Sequence, residues 1–168
     1  AGREEDAPLE AIHIKGASFE GPIVYTGPLD ELFLGRFGRL PYRSLDFVYE
    51  TFDETYHLPC GTVNYTVTED YTRITEFKRL TGQELPGKTT IMREYSRAYE
   101  DPATQIPYYA IINDDNDALY ARYRRLTDAL PNFHPLGRLA EYRYFNMDKV
   151  VADALAASEK ILTETADA

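Results

Sequence analysis

The chain has 168 residues with 28 acidic and 18 basic side chains, a net charge of −10; it repels polyanions on average, which excludes non-specific nucleic-acid binding and attraction to an anionic membrane surface. Hydrophobic residues make up 43%, enough for one compact domain or a large part of a bigger one, and no window approaches the apolar length of a bilayer span. Cys60 is the only cysteine, which excludes an internal disulfide and fits a reducing, cytoplasmic setting.

In chain order, Ala11 to Lys15 alternates weakly and predicts a short strand. Pro22-Ile23-Val24-Tyr25 is an apolar run closed by Thr26-Gly27-Pro28, the pattern of a buried strand ending in a sharp turn. Asp30 is placed to cap a helix carrying Leu32, Phe33 and Phe37, which Gly38 and Pro41 end. The period then changes to two. Ser44 to Thr51, Thr62 to Thr66, Thr72 to Phe77, Thr89 to Tyr95 and Tyr108 to Ile112 are rich in Thr, Val, Ile and Tyr. Successive strands with short gaps predict an antiparallel sheet. Asn113 to Asp115 supplies caps for a helix with Leu119, Tyr123, Leu126 and Leu130 on one face, stopped by Pro131. A last helix starts near Asn146, with Met147, Val150, Val151, Ala154, Leu155, Ile161 and Leu162 as its apolar stripe.

One motif invites a wrong conclusion. Gly82-Gln83-Glu84-Leu85-Pro86-Gly87-Lys88-Thr89 fits G-x-x-x-x-G-K-[ST], the phosphate loop of nucleotide triphosphatases. That loop needs a buried strand before it and a helix after it, whose N-terminus faces the phosphates. Here Lys78 to Thr81 is not an apolar strand, and Thr90 to Tyr95 has strand composition, so a Gly-Pro turn between two strands is expected. His13, His57, His134 and Cys60 show no metal-ligand spacing, and no structural metal is expected. Asn64-Tyr65-Thr66 is a formal glycosylation sequon, but no basic stretch followed by an apolar run stands in these 168 residues, so the match is expected to be coincidence.

Six segments in a fixed order carry a resemblance. They are Val24-Tyr25-Thr26-Gly27-Pro28-Leu29-Asp30; Arg36 to Leu45; Val63 to Thr66 followed by Tyr71-Thr72-Arg73-Ile74; Ile91 to Tyr95; Pro107-Tyr108-Tyr109; and Gly137 to Asp148. From about Pro22 to about Leu162 the chain resembles the C-terminal part of the UDP-galactopyranose mutases. The resemblance implies interconversion of UDP-galactopyranose and UDP-galactofuranose with reduced FAD, whose flavin N5 is the nucleophile, in biosynthesis of cell-surface polysaccharide. It implies an α+β fold. Residues 1–43 would be part of a FAD-binding, Rossmann-like domain and residues 44–112 an antiparallel substrate-binding sheet. Residues 113–168 would be helices, the last of which completes the FAD-binding domain.

Matched position by position, Arg73 takes the place of the family's diphosphate arginine, and Tyr109 and Tyr144 the places of the tyrosines that bind the same diphosphate. Asn64 matches an asparagine on the substrate-facing strand. Arg138 matches an arginine near flavin and sugar, Thr26, Gly27 and Pro28 the turn that passes FAD, and Asn146 and Met147 the helix start beside the flavin, with Asn146 also facing substrate. Arg73, Tyr109 and Tyr144 are expected to converge on one pyrophosphate. The start of the last helix carries partial positive charge and unpaired N–H groups, which would favour negative charge on reduced flavin.

Three departures stand out. Asn146 replaces an Asp common in the family, Leu136-Gly137 replaces paired glycines, and no G-x-G-x-x-G appears in the chain. The last implies that the family's N-terminal half, with the main FAD fingerprint, is a missing partner, and that this polypeptide alone neither retains FAD nor isomerises the sugar. Without that half apolar surface stays exposed, which allows self-association. Two other classes compete: a stand-alone sugar-nucleotide-binding or interaction module, and, more remotely, a P-loop NTPase.

Overall fold

The structure is a computed structural model that describes residues 9–166. Along the chain run β1 (His13–Ile14), β2 (Ala17–Ser18), β3 (Ile23–Tyr25), α1 (Leu29–Leu32), β4 (Tyr42–Phe52), β5 (Thr62–Asn64) and β6 (Arg73–Glu76). Then follow α2 (Phe77–Thr81), β7 (Thr89–Ala98), β8 (Tyr109–Ala110), α3 (Asp114–Thr127), β9 (Phe133–Pro135) and α4 (Met147–Ala166). The class is mixed α and β, with an antiparallel sheet and four helices. Two compact units emerge: Arg43–Tyr108, and the two flanking stretches up to Tyr42 and from Tyr109 on.

The Arg43–Tyr108 unit is built on an antiparallel sheet in the order β5-β6-β7-β4. Two-residue periodicity sorts its side chains. Ile74 and Ile91 lie on one face and join Leu58 in a buried cluster, with Phe52, Val63, Tyr65 and Tyr71 packed around it. Each such fully buried aliphatic side chain contributes about 1.5–3 kcal/mol. On the other face the register sets Asn64 beside Arg73, Arg73 beside Glu94 and Glu94 beside Phe47. A polar row thus crosses β5, β6 and β7 and meets Phe47 on β4.

The strands expected from alternation are present, although the last shrinks to Tyr109–Ala110. The expected turn between two strands is instead a turn between a helix and a strand: α2 fills Phe77–Thr81 and ends at Gly82, whose φ of 70° is the left-handed conformation glycine favours at a helix end.

In the other unit β3 pairs in parallel with β9, Ile23 opposite Phe133 and Tyr25 opposite Pro135. The β9 strand escaped the sequence reading, because three residues ending in proline carry little strand signal. Helix α3 starts as its sequence predicts. The Asn113 side chain accepts from the Asn116 N–H at 2.9 Å, Asp114, Asp115 and Asp117 sit in the first turn, and Arg124 and Arg125 in the last.

The cap assigned to Asp30 is not found. Pro28 holds the N-cap position, α1 stops at Leu32, and Asp30 lies inside it, 3% exposed. Its carboxylate instead accepts from the Leu40 N–H at 3.0 Å, and its own carbonyl accepts from Gly35 at 2.7 Å. Burial raises its pKa, only partly offset by the Leu40 N–H. Asp30 therefore closes the 30–40 turn back on the helix, the part a C-terminal signal alone was expected to play. Leu29, Leu40, Tyr123, Leu126 and Tyr142 form the buried centre of this unit. On α4, by contrast, Met147, Val151, Leu155 and Leu162 are exposed.

Candidate functional site

Parallel pairing of β3 and β9 brings the loops that leave their C-terminal ends to the same edge. The loop after β3 is Thr26-Gly27-Pro28. Tyr25 fixes it by donating its hydroxyl to the Pro28 carbonyl at 2.9 Å. A Cβ on Gly27 would stand 2.8 Å from that hydroxyl, so glycine is required there. The loop after β9 is Leu136-Gly137-Arg138, and the Leu136 N–H donates to the Tyr25 carbonyl at 2.9 Å. Gly137 has φ +89°, with nothing closer to an added Cβ than Val150 of α4 at 4.0 Å.

The Gly137–Phe145 segment is held by its own polar groups. The Gly137 N–H donates to the Glu141 carboxylate at 2.8 Å, and Arg138 Nε donates to the Phe145 carbonyl at 2.6 Å. Tyr142, with φ +50°, donates its hydroxyl to the Pro41 carbonyl at 2.7 Å. Its ring stacks on Tyr120 at 5.7 Å and meets the edge of Tyr42 at 5.3 Å. Burial raises the Tyr142 and Tyr120 pKa values to about 12, so both hydroxyls stay protonated donors. Sequence reasoning passed over Glu141 and Tyr142; the only local hint is the four-residue spacing from Gly137 to Glu141.

This scaffold brings together Tyr109, Arg138 and Tyr144. The two tyrosine rings are 5.9 Å apart, and the Arg138 guanidinium lies 4.9 Å from the Tyr144 ring and 5.7 Å from the Tyr109 ring. Tyr144 is 63% exposed, so much of the residue is open to a ligand. Asn146 precedes α4, and its carbonyl accepts the first helical bond from Val150 at 3.2 Å. Met147 opens the helix and is 81% exposed. The tyrosine pair, an arginine, a glycine turn and the start of a 20-residue helix thus share one edge of the unit.

Arg73 and Asn64 belong to the other unit. Arg73 Nε donates to Asn64 Oδ1 at 2.9 Å, and one terminal nitrogen lies 3.7 Å from the Glu94 carboxylate. The arginine side chain is 42% exposed. A guanidinium has five N–H donors, so most remain for a ligand oxygen.

The phosphate-loop motif has neither flank that chemistry needs: α2 precedes it and β7 follows it. Among the described residues no group of three or more His, Cys, Asp or Glu side chains is placed to hold a metal ion, and no helix is long and apolar enough to cross a membrane.

Residues 6–144 match the family model described as UDP-galactopyranose mutase. Over 144 residues the chain is 41% identical to the UDP-galactopyranose mutase of Mycoplasma pneumoniae, covering 84% of this chain and 36% of that protein. The UDP-galactopyranose mutase of Mycoplasma genitalium is 35% identical over 92% of this chain and 39% of its own length. The dTDP-fucopyranose mutase of Escherichia coli is 30% identical over 83% and 37% respectively. The chain therefore spans well under half the length of the curated relatives it matches.

Proposed function

Because the chain belongs to the UDP-galactopyranose mutase family, we propose that it is the C-terminal part of an enzyme interconverting UDP-galactopyranose and UDP-galactofuranose. Its share of the work is to bind the nucleotide diphosphate and to complete a FAD site. The observation that carries this reading is the meeting of Tyr109, Arg138 and Tyr144 beside the glycine turn and the start of α4. Two phenols and a guanidinium are donors, and together they suit phosphate oxygens in a chain whose overall charge disfavours anions.

The residues present fit FAD. Gly27 and Gly137 carry no Cβ where the loops leave β3 and β9, and α4 begins close by, its Val150 lying 4.0 Å from a Cβ added at Gly137, so that a helix N-terminus is at hand for an anionic group. Reduced FAD would supply the nucleophile for exchange at the anomeric carbon. The chain's own residues do the rest: Thr26, Gly27, Pro28, Arg138, Asn146 and Met147 hold and orient the cofactor. The α4 start supports negative charge near it without a carboxylate, since Asn146 contributes hydrogen bonding alone. Tyr109 and Tyr144, and in the other unit Arg73 with Asn64, are the substrate ligands.

The exposed apolar residues of α4 and the bare two-stranded β3/β9 pair suit a partner that extends a parallel sheet. We assign that partner to the part of the relatives' length this chain does not cover. By this reading the chain alone is inactive and does not retain FAD, and the Rossmann-like origin of β3, β9 and α4 follows from the same completion. A stand-alone sugar-nucleotide-binding module is the second reading, favoured only by the preorganised Tyr109–Arg138–Tyr144 cluster.

UDP titration of the complete polypeptide tests the assignment. Arg73→Ala and Tyr144→Phe are each expected to weaken UDP binding, the arginine by about 2–5 kcal/mol, as for the loss of one partner of a charge pair that ligand binding buries. Unchanged affinity in Arg73→Ala rejects Arg73 as the diphosphate ligand. Tight FAD retention by residues 1–168 alone rejects the incomplete-site reading.

A further inference from the structure

Arg73 does not stand alone on its strand. The sheet register sets Asn64 on one side of it and Glu94 on the other, all on one face. Asn64 takes the Nε edge of the guanidinium at 2.9 Å, and Glu94 faces a terminal nitrogen at 3.7 Å. Glu94 is itself anchored: its carbonyl accepts from the Thr72 N–H at 2.8 Å and from the Thr72 hydroxyl at 3.2 Å. The residue is 8% exposed, whereas the arginine side chain it faces is 42% exposed. A carboxylate held nearly out of water beside a guanidinium that reaches into it orients that guanidinium from below.

We infer that Glu94 is a positioning residue for Arg73, and that with Asn64 it sets the guanidinium plane so that the remaining N–H groups present as a fork to an anionic substrate. The inference rests on the reading of Arg73 as a diphosphate ligand. Arginine gives up rotamer freedom whenever it grips an anion, and two partners already in place reduce that loss. A stabilising role alone does not explain the arrangement, since a cross-strand pair at 3.7 Å with one partner largely in solvent adds little to folding. The carboxylate also repels an incoming diphosphate, so its removal has two opposite effects, and a double-mutant cycle separates them.

The experiment is UDP binding to the complete polypeptide in four forms: unaltered, Glu94→Gln, Arg73→Ala, and both together. Glu94→Gln is expected to weaken UDP about five- to tenfold when Arg73 is present, the scale of one charge-assisted contact. In the Arg73→Ala background it is expected not to weaken UDP at all, because only the repulsion is then removed. Glu94→Asp keeps the charge on a shorter stem and is expected to fall between Glu94 and Glu94→Gln, which preserves the test should the glutamine variant fold poorly. The same change in both backgrounds, so that the cycle shows no coupling between Glu94 and Arg73, overturns the role of Glu94. If Arg73→Ala binds UDP as well as the unaltered protein, the diphosphate reading fails and this inference with it. If Arg73→Ala weakens binding and the cycle shows no coupling with Glu94→Gln, only the role of Glu94 is lost.

Discussion

Lys78 donates to the carbonyl of Leu85 at 2.7 Å. The same ammonium reaches the Lys88 carbonyl at 2.8 Å and lies 4.9 Å from the Tyr56 ring. The loop that spells a phosphate-binding motif thus turns two carbonyls inward onto a lysine that precedes the motif. The lysine within it, Lys88, points outward to Asp53 at 3.2 Å, 64% exposed.

Lys78→Met is therefore expected to destabilise the protein by about 2–4 kcal/mol, since it keeps the stem but leaves two carbonyls without their charged donor. Lys88→Ala is expected to stay within about 0.5 kcal/mol of the unaltered protein. Urea unfolding of the two variants gives the comparison. Magnesium-dependent ATP binding that disappears in Lys88→Ala is the outcome that reinstates the phosphate-loop reading.

Glu76 governs the acid limb of stability. It is fully buried and accepts from the backbone N–H groups of His57 and Leu58, from the Thr89 hydroxyl at 2.5 Å and from Arg79 Nε at 3.1 Å. Burial alone raises its pKa, but these donors outweigh it and bring the value from 4.5 down to about 2. A depressed folded-state pKa means stability that is present above about pH 4.5 and is lost as pH falls toward 2. Glu76→Gln is expected to lower stability at neutral pH and to flatten the decline over that window. Thermal melts of both proteins from pH 7 to pH 2 check it, and parallel pH profiles contradict it.

Gly27→Ala is expected to disturb the turn after β3. The new methyl meets the Tyr25 hydroxyl at 2.8 Å and the ring carbon bearing it at 3.0 Å. Either the ring or the turn shifts, and the Tyr25 bond to Pro28 goes with it. The expected loss is about 1–3 kcal/mol, with partial recovery when Tyr25→Phe is added to make room. Unfolding midpoints of the single and double variants decide the matter; no recovery in the double variant places the strain elsewhere.

Legibility in the sequence followed locality. Alternation over Ser44 to Thr51 and Thr89 to Tyr95 revealed β4 and β7, and Asn113 ahead of an apolar stripe marked α3, because side-chain period and cap chemistry act within one element. The short α2 and β9 were missed for the converse reason. Five and three residues carry too few periods to register, and their partners, not their own preferences, hold them in place. Asp30 misled for a related reason: its composition suits a cap, but a backbone N–H ten residues on claimed its carboxylate.

The same division holds for the site. By itself the order of residues determined which family the chain resembles, and hence that Arg73, Tyr109, Arg138 and Tyr144 merit attention. Tertiary structure alone decided which side chains support them. Glu94 meets Arg73 only through strand register, Leu136 meets Tyr25 only through a parallel pairing of segments far apart in the chain, and the Gly82–Thr89 loop closes on Lys78. Propensity and period are properties of neighbours along the chain, whereas a hydrogen-bond partner is fixed by where folding brings distant backbone together.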